Sequence, residues 1–167
     1  MNPIVSKDPK ILKKQFWGPA YWTILHTMAE CVLSTNNTVL QNDEAEAWIL
    51  LLKLQQYVMP CALCSKHYGD WLKTHGIATI RVLKKQDRAH WIQTWLFDLH
   101  ENVNLLNNTI GIPKEHLSEH YPRKRLDAEY TLCCQMFLLS LEKRLLKSDD
   151  IHRWKTAFLR LRALYGI

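Results

Sequence analysis

The chain has 167 residues, 47% of them apolar and only five of them glycine, with a formal net charge of +6. That length supports one ordinary hydrophobic core. The composition excludes a disordered or collagen-like chain, and five scattered cysteines are too few for a disulfide scaffold.

Residues 1–12 read as a loosely held arm, without the apolar segment of a secretory signal. A helix is predicted from about Trp17 to Leu33, where Trp22, Leu25, Ala29 and Leu33 recur on one face and His26 sits one turn after Trp22. Ser34-Thr35-Asn36-Asn37-Thr38 ends it. Asp43-Glu44-Ala45-Glu46 resembles a capping box. The helix behind it carries Ala47, Trp48, Leu51, Leu52 and Leu54 on more than one side, as a central bundle helix does, and must stop near Met59, ahead of Pro60. A third helix is predicted to begin at Pro60, with Cys61, Cys64, Tyr68 and Trp71 on one stripe and Gly76 as its end.

Asp87 is a candidate cap for a fourth helix. Its apolar face is Trp91, Trp95, Leu99 and Val103, with His100 and Asn104 one turn apart beside it. Asn107-Asn108 and Gly111 break the pattern. A short helix is predicted from Pro113 to His120, closed by Tyr121-Pro122. Another runs roughly from Leu126 to Leu146, and a last one lies behind Ser148-Asp149-Asp150 and carries Ile151, Trp154, Phe158, Leu161 and Tyr165. Neither strand-like alternation nor an internal repeat is visible, so the predicted fold class is all-α. No apolar run approaches the ~20 residues that span a bilayer. In the absence of a secretory route, the Asn-x-Thr triplets at Asn36 and Asn107 read as accidental.

The basic excess is uneven. Residues 1–120 hold 12 basic and 11 acidic residues, whereas residues 121–167 hold 10 and 5. The plain reading is solvated helix faces; the other is a docking surface for an acidic partner. Nothing points to base-specific nucleic-acid recognition.

The most chemically specific stretch is Met59-Pro60-Cys61-Ala62-Leu63-Cys64. Residues three apart share a helix face, so the two sulfurs can meet. At a helix N-terminus the dipole favours a thiolate, and such a pair can cycle between dithiol and disulfide. Three chemistries use a pair of this kind. Zinc could draw on Cys61, Cys64, His67 and the His116/His120 pair, but the last two follow at several times the usual ligand spacing. A thioredoxin-like oxidoreductase needs strands around the pair. A dithiol beside a flat, flavin-like cofactor needs aromatic and polar side chains on flanking helices, which Trp22, His26, His100 and Asn104 supply. Taken singly, each of those four is most simply a core or niche residue.

Taken together, Trp17-Gly18-Pro19-Ala20-Tyr21-Trp22-Thr23-Ile24-Leu25-His26, then Pro60-Cys61-Ala62-Leu63-Cys64, then His100-Glu101-Asn102-Val103-Asn104 resemble, in order and spacing, the signature stretches of the Erv/ALR flavin-linked sulfhydryl oxidases. The short first motif and small cysteine set look most like the viral members, which would put the protein in host cytoplasm or virion. The resemblance implies a four-helix bundle with a short fifth helix over residues 13–122, preceded by the arm 1–12 and followed by a basic helical extension, 123–167. It implies bound FAD, usually in a homodimer, with dithiol proteins or a redox carrier as substrate and O₂ as acceptor, giving hydrogen peroxide. In that scheme Cys64 faces the flavin and Cys61 exchanges with substrate. Lys14, Gly18, Trp22, His26, His100, Val103, Asn104 and Tyr121 fall on cofactor-contact positions; no metal is implied.

Three departures stand out. Glu101 replaces the family's usual Asn, and a carboxylate cannot donate as an amide does. Leu105, Leu106, Asn107 and Asn108 stand where basic residues are often found, leaving phosphate charge to Lys14 or Arg123-Lys124-Arg125. Phe97 and Lys114 occupy the places of a structural disulfide found in many cellular members. Cys133 and Cys134 are adjacent on a helix and do not face each other, so at least one reads as a buried thiol, with a relay or an intersubunit bond as the other reading; Cys31 reads as a core thiol unless it finds Cys133 or Cys134. The alternative function is a helical docking module that kept this fold while catalysis became secondary.

Overall fold

The computed structural model of the chain describes residues 8–32 and 40–167. The described residues form seven α-helices and no strand: α1 Lys14–Glu30, α2 Gln41–Gln55, α3 Ala62–Thr74, α4 Lys85–Leu106, α5 Leu117–His120, α6 Asp127–Glu142 and α7 Ser148–Tyr165. The all-α class is as predicted, and the chain's one helical core runs from Trp17 to Ile167. Leu33, the break at Ser34–Thr38, the triplet at Asn36 and the first seven residues of the arm lie outside the described residues. The rest of the arm contains a 3-10 turn, Pro9–Leu12, capped by the Asp8 carboxylate, with Ile11 and Leu12 against the core.

Several helix ends differ from expectation, each for a local or tertiary reason. α1 starts at Lys14 rather than Trp17 and runs through the exposed Pro19, forfeiting one backbone bond near its start. Asp43-Glu46 is not a capping box: the N-cap is Leu40, and Asp43 and Glu44 lie within the first turn. There, Glu44 is buried against Arg88, and Glu46 takes both nitrogens of an Arg81 fork at 2.5 and 2.9 Å. Asp87 is likewise inside the first turn of α4 rather than its cap. α3 ends at Thr74, before Gly76. α6 stops at Glu142 because Arg144 adopts φ 56°, letting Leu145 and Arg144 donate back to the carbonyls of Ser140 and Leu141. Ser148-Asp149-Asp150 form the first turn of α7 instead of preceding it.

Cross-helix hydrogen bonds set the directions. Ser65 Oγ donates to the Gln56 carbonyl at 2.5 Å and the Tyr68 hydroxyl to that of Leu52 at 2.8 Å, so α3 runs back along α2. Gln93 reaches the Ala29 carbonyl while His100 meets His26, so α4 opposes α1. The Tyr21 hydroxyl donates to Val58, just ahead of Cys61, at 2.8 Å. α1 therefore touches the loop ahead of α3 through Tyr21 and the C-terminal end of α4 through His26.

The basic C-terminal helices are packed into the core: α6 lies along α1 and α7 along α2. Trp154 donates to Gln55 Oε1 at 2.9 Å, and Trp48 donates to the Tyr165 hydroxyl at 2.7 Å. Trp48, Trp154 and Phe158 are fully buried, and aromatic side chains each remove roughly 150–250 Å² from water. Among the described residues, no helix is long and apolar enough to cross a membrane.

Candidate functional site

Cys61 and Cys64 are joined in a disulfide at the head of α3. The expectation that the helix begins at Pro60 is corrected. Cys61 is the N-cap, with extended φ −145° and ψ 104°, and its sulfur accepts from the Cys64 N–H at 3.1 Å. Sulfur thus takes the part that a Ser or Asp oxygen usually plays at a helix start. Both cysteines are half-buried, whereas Leu63 between them is 63% exposed.

Four flat side chains meet between α1, α4 and the chain after α5. Trp22 stacks on His100 with centroids 3.8 Å apart and planes 10° off parallel. His26 stacks on Tyr121 at 4.6 Å and 12°. His26 Nε2 and His100 Nδ1 lie 3.1 Å apart and share a hydrogen bond. The two histidines are held neutral. Burial, aided by the neighbouring His100 and His120, pushes His26 down to about 3. Burial also pushes His100 down to about 4, against an opposing pull from Glu101.

In the unfolded chain both would titrate near the ordinary value of 6.5. Between that pH and the folded values the unfolded chain holds more protons, so stability is present at neutral pH and is lost as pH falls from about 6.5 toward 4 and 3. Urea midpoints measured across this range should drop with acid, and the drop should shrink in a His26→Leu protein. A level profile would contradict the burial of two neutral rings.

The remaining candidate residues are distributed around this cluster. Val103 packs half-buried against the core. Asn104 donates from Nδ2 to Glu101 Oε1 at 3.0 Å. The Lys14 ammonium donates to Asn107 Oδ1, tying the start of α1 to the end of α4. A Cβ built on Gly18 would meet nothing within 4 Å, so no protein neighbour demands glycine there. Arg123, offered as an alternative phosphate cation, instead donates to the Tyr165 carbonyl at 2.6 Å, while Lys124 and Arg125 pair with Glu129 and Asp127. At the two places where a disulfide was missed, the Lys114 ammonium sits 5.8 Å from the Phe97 ring centroid, so those positions still touch.

Sequence reasoning missed the capping role of the Cys61 sulfur, the Tyr21–Val58 bond that brings the cysteine loop to α1, and the contact of Glu101 and Asn104 with Gly111. Only the first had a local signal: an N-cap side chain accepting from a residue three positions on. Cys133 is buried, Cys134 half-buried, and burial pushes the Cys133 thiol well up, as suits a core thiol.

Residues 19–122 match the family model described as the Erv1 / Alr family. The match spans more than half of the chain, which therefore belongs to this family, one known for FAD-linked sulfhydryl oxidases. No curated protein and no solved structure matches the chain.

Proposed function

We propose that this protein is an FAD-dependent thiol oxidase whose Cys61–Cys64 pair accepts electrons from dithiol proteins or a redox carrier. The reading is carried by two features that both adjoin α1: the Cys61–Cys64 disulfide at the head of α3, whose preceding loop takes the Tyr21 hydroxyl, and the Trp22, His26, His100 and Tyr121 ring cluster. A flavin needs flat surfaces to stack on and polar partners at its edges. A cluster of flat rings, the one nitrogen that each imidazole keeps outside the His26–His100 bond, the Asn104 amide and the Lys14 cation are groups of the kinds those needs call for. Trp22, His26, His100, Val103, Asn104 and Tyr121 would hold the cofactor, with Gly18 leaving room for close approach and Lys14 supplying phosphate charge. Bound FAD supplies a two-electron acceptor that can pass its electrons to O₂, giving hydrogen peroxide.

The chain's own part is thiol–disulfide exchange. A substrate thiolate attacks Cys61 Sγ; the Cys61–Cys64 bond breaks and Cys64 leaves as a thiolate. The second substrate thiol, deprotonated, then attacks the substrate sulfur held by Cys61, forming the substrate disulfide and releasing Cys61 as a thiolate. Two electrons reach the cysteine pair, and the two substrate protons go to solvent. Both leaving thiolates sit at the positive end of α3, and Cys61 also keeps the Cys64 N–H, so each is a better leaving group than an ordinary thiol. Exposed Ala62 and Leu63 leave the approach to the pair open.

The test is the visible spectrum of the purified protein together with O₂ uptake in the presence of a dithiol. Oxidised-flavin bands and uptake matched by peroxide are expected. A colourless protein that acquires no colour with added FAD would overturn the reading and favour a docking module. The family likeness also suggests a homodimer and a viral-type oxidase; sedimentation would check the first.

A further inference from the structure

The end of α4 contains an arrangement with no assigned purpose. Glu101 and Asn104 are three apart on one helix face. Asn104 Nδ2 donates to Glu101 Oε1 at 3.0 Å, and Asn104 Oδ1 accepts from the Thr109 hydroxyl at 3.3 Å. Asn108, at φ 53°, turns the chain back, and the Thr109 N–H bonds to the Asn104 carbonyl at 2.9 Å. Gly111 is thereby laid against the pair. A Cβ there would fall 1.7 Å from Glu101 Oε1 and 2.6 Å from Asn104 Nδ2.

A carboxylate only accepts, so the Asn104 atom facing it must be the amide nitrogen. An asparagine or glutamine at 101 could pair with either end of that amide, whereas a glutamate permits one. Thr109 donating to the other end agrees with the same orientation. The atoms a Gly111 side chain would strike include the far end of Glu101, which can swing away. An alanine at 111 would then break the clasp at little cost to the fold.

We propose that Glu101 and Gly111 are positioning residues: Glu101 holds the Asn104 carboxamide in a single orientation for the nucleotide cofactor, and the bare backbone of Gly111 is the notch that keeps Glu101 in place. This rests on the FAD reading above. Glu101 thus substitutes for the family's usual asparagine by orienting a neighbour instead of donating to the cofactor itself.

The test is FAD affinity, read from the quenching of flavin fluorescence on adding apoprotein, together with thermal melting. Glu101→Ala and Gly111→Ala should each weaken FAD roughly tenfold, about the worth of one charge-assisted hydrogen bond, with the apoprotein melting temperature of Gly111→Ala nearly unchanged. Glu101→Gln, which can pair with either end of the Asn104 amide, should recover only part of the affinity. In an Asn104→Ala background neither alanine change should weaken FAD further, because both act through that amide. Wild-type affinity in Glu101→Ala and Gly111→Ala, or a full additional loss in the Asn104→Ala background, would overturn the proposal while leaving the FAD reading standing. A wild-type protein that binds no FAD would overturn both.

Discussion

Replacing either Cys61 or Cys64 by serine is expected to reduce dithiol oxidation to the uncatalysed background, a loss of at least about a thousandfold, as is usual when a reacting nucleophile is removed. Neither change should unfold the protein. The disulfide closes a loop of only a few residues, so it removes little entropy from the unfolded chain. At position 61 serine is also among the best helix caps, and its oxygen can take the Cys64 N–H that the sulfur now accepts. Flavin absorbance in both variants should match wild type if the rings, and not the sulfurs, hold the cofactor. The two variants should differ in one respect. With Cys64 replaced, the Cys61 thiolate can attack a substrate disulfide and remain joined to one of its sulfurs, because no partner cysteine resolves the mixed disulfide. With Cys61 replaced, the inner Cys64 should capture far less. Mass spectrometry of each variant after incubation with a small disulfide reads this directly. Equal capture by both would refute the assignment of Cys61 as the outer sulfur, and retained oxidase activity in either would refute the mechanism.

Arg88→Ala should destabilise the fold by about 3–5 kcal/mol, because it leaves a buried carboxylate without its cation. Arg88 is 3% exposed and Glu44 is 1% exposed, and their nearest approach is 3.2 Å. The guanidinium also donates to the carbonyls of Ile80, Gln41 and Leu83, fastening the start of α4 to the start of α2. The other Glu44 oxygen accepts from the Tyr165 hydroxyl at 2.6 Å, and that hydroxyl accepts from Trp48. One buried network therefore joins α2, α4 and the last turn of α7. Tyr165→Phe should cost less, about 1–3 kcal/mol, since it strands the Trp48 N–H and one carboxylate oxygen but keeps the ion pair. Urea unfolding of both variants checks the order. An Arg88→Ala protein as stable as wild type would refute the Glu44–Arg88 pair as a support of the fold. The same network gives α7 a role as a brace across α2.

The ring cluster and the cysteine pair were traceable beforehand because their signals are local. Trp22 and His26 share a face through helical spacing, the cysteine pair carries its own spacing, and His100 and Asn104 fall one turn apart on a strongly periodic helix. The helix ends were less legible. Asp43, Glu44 and Glu46 look like capping residues by type, yet two of them answer to arginines far along the chain, Arg88 and Arg81, and a tertiary ion pair outweighs a local capping preference. Arg123, read as part of a basic cluster, also donates to the Tyr165 carbonyl, a contact no local signal announces.

By itself the sequence determined that the protein is all helical, where most of its helices lie, which family it resembles, and which two cysteines can meet in a disulfide. Each of these follows from residues within a few turns of one another. The tertiary structure alone decided that α6 and α7 complete the core, that Tyr21 ties the loop ahead of the cysteines to α1, that burial lowers the pKa of the two histidines, and that Gly111 lies against Glu101 and Asn104. Those outcomes depend on burial and on contacts between segments that only the folded chain brings together, and neither can be read from the order of residues along a strand of sequence.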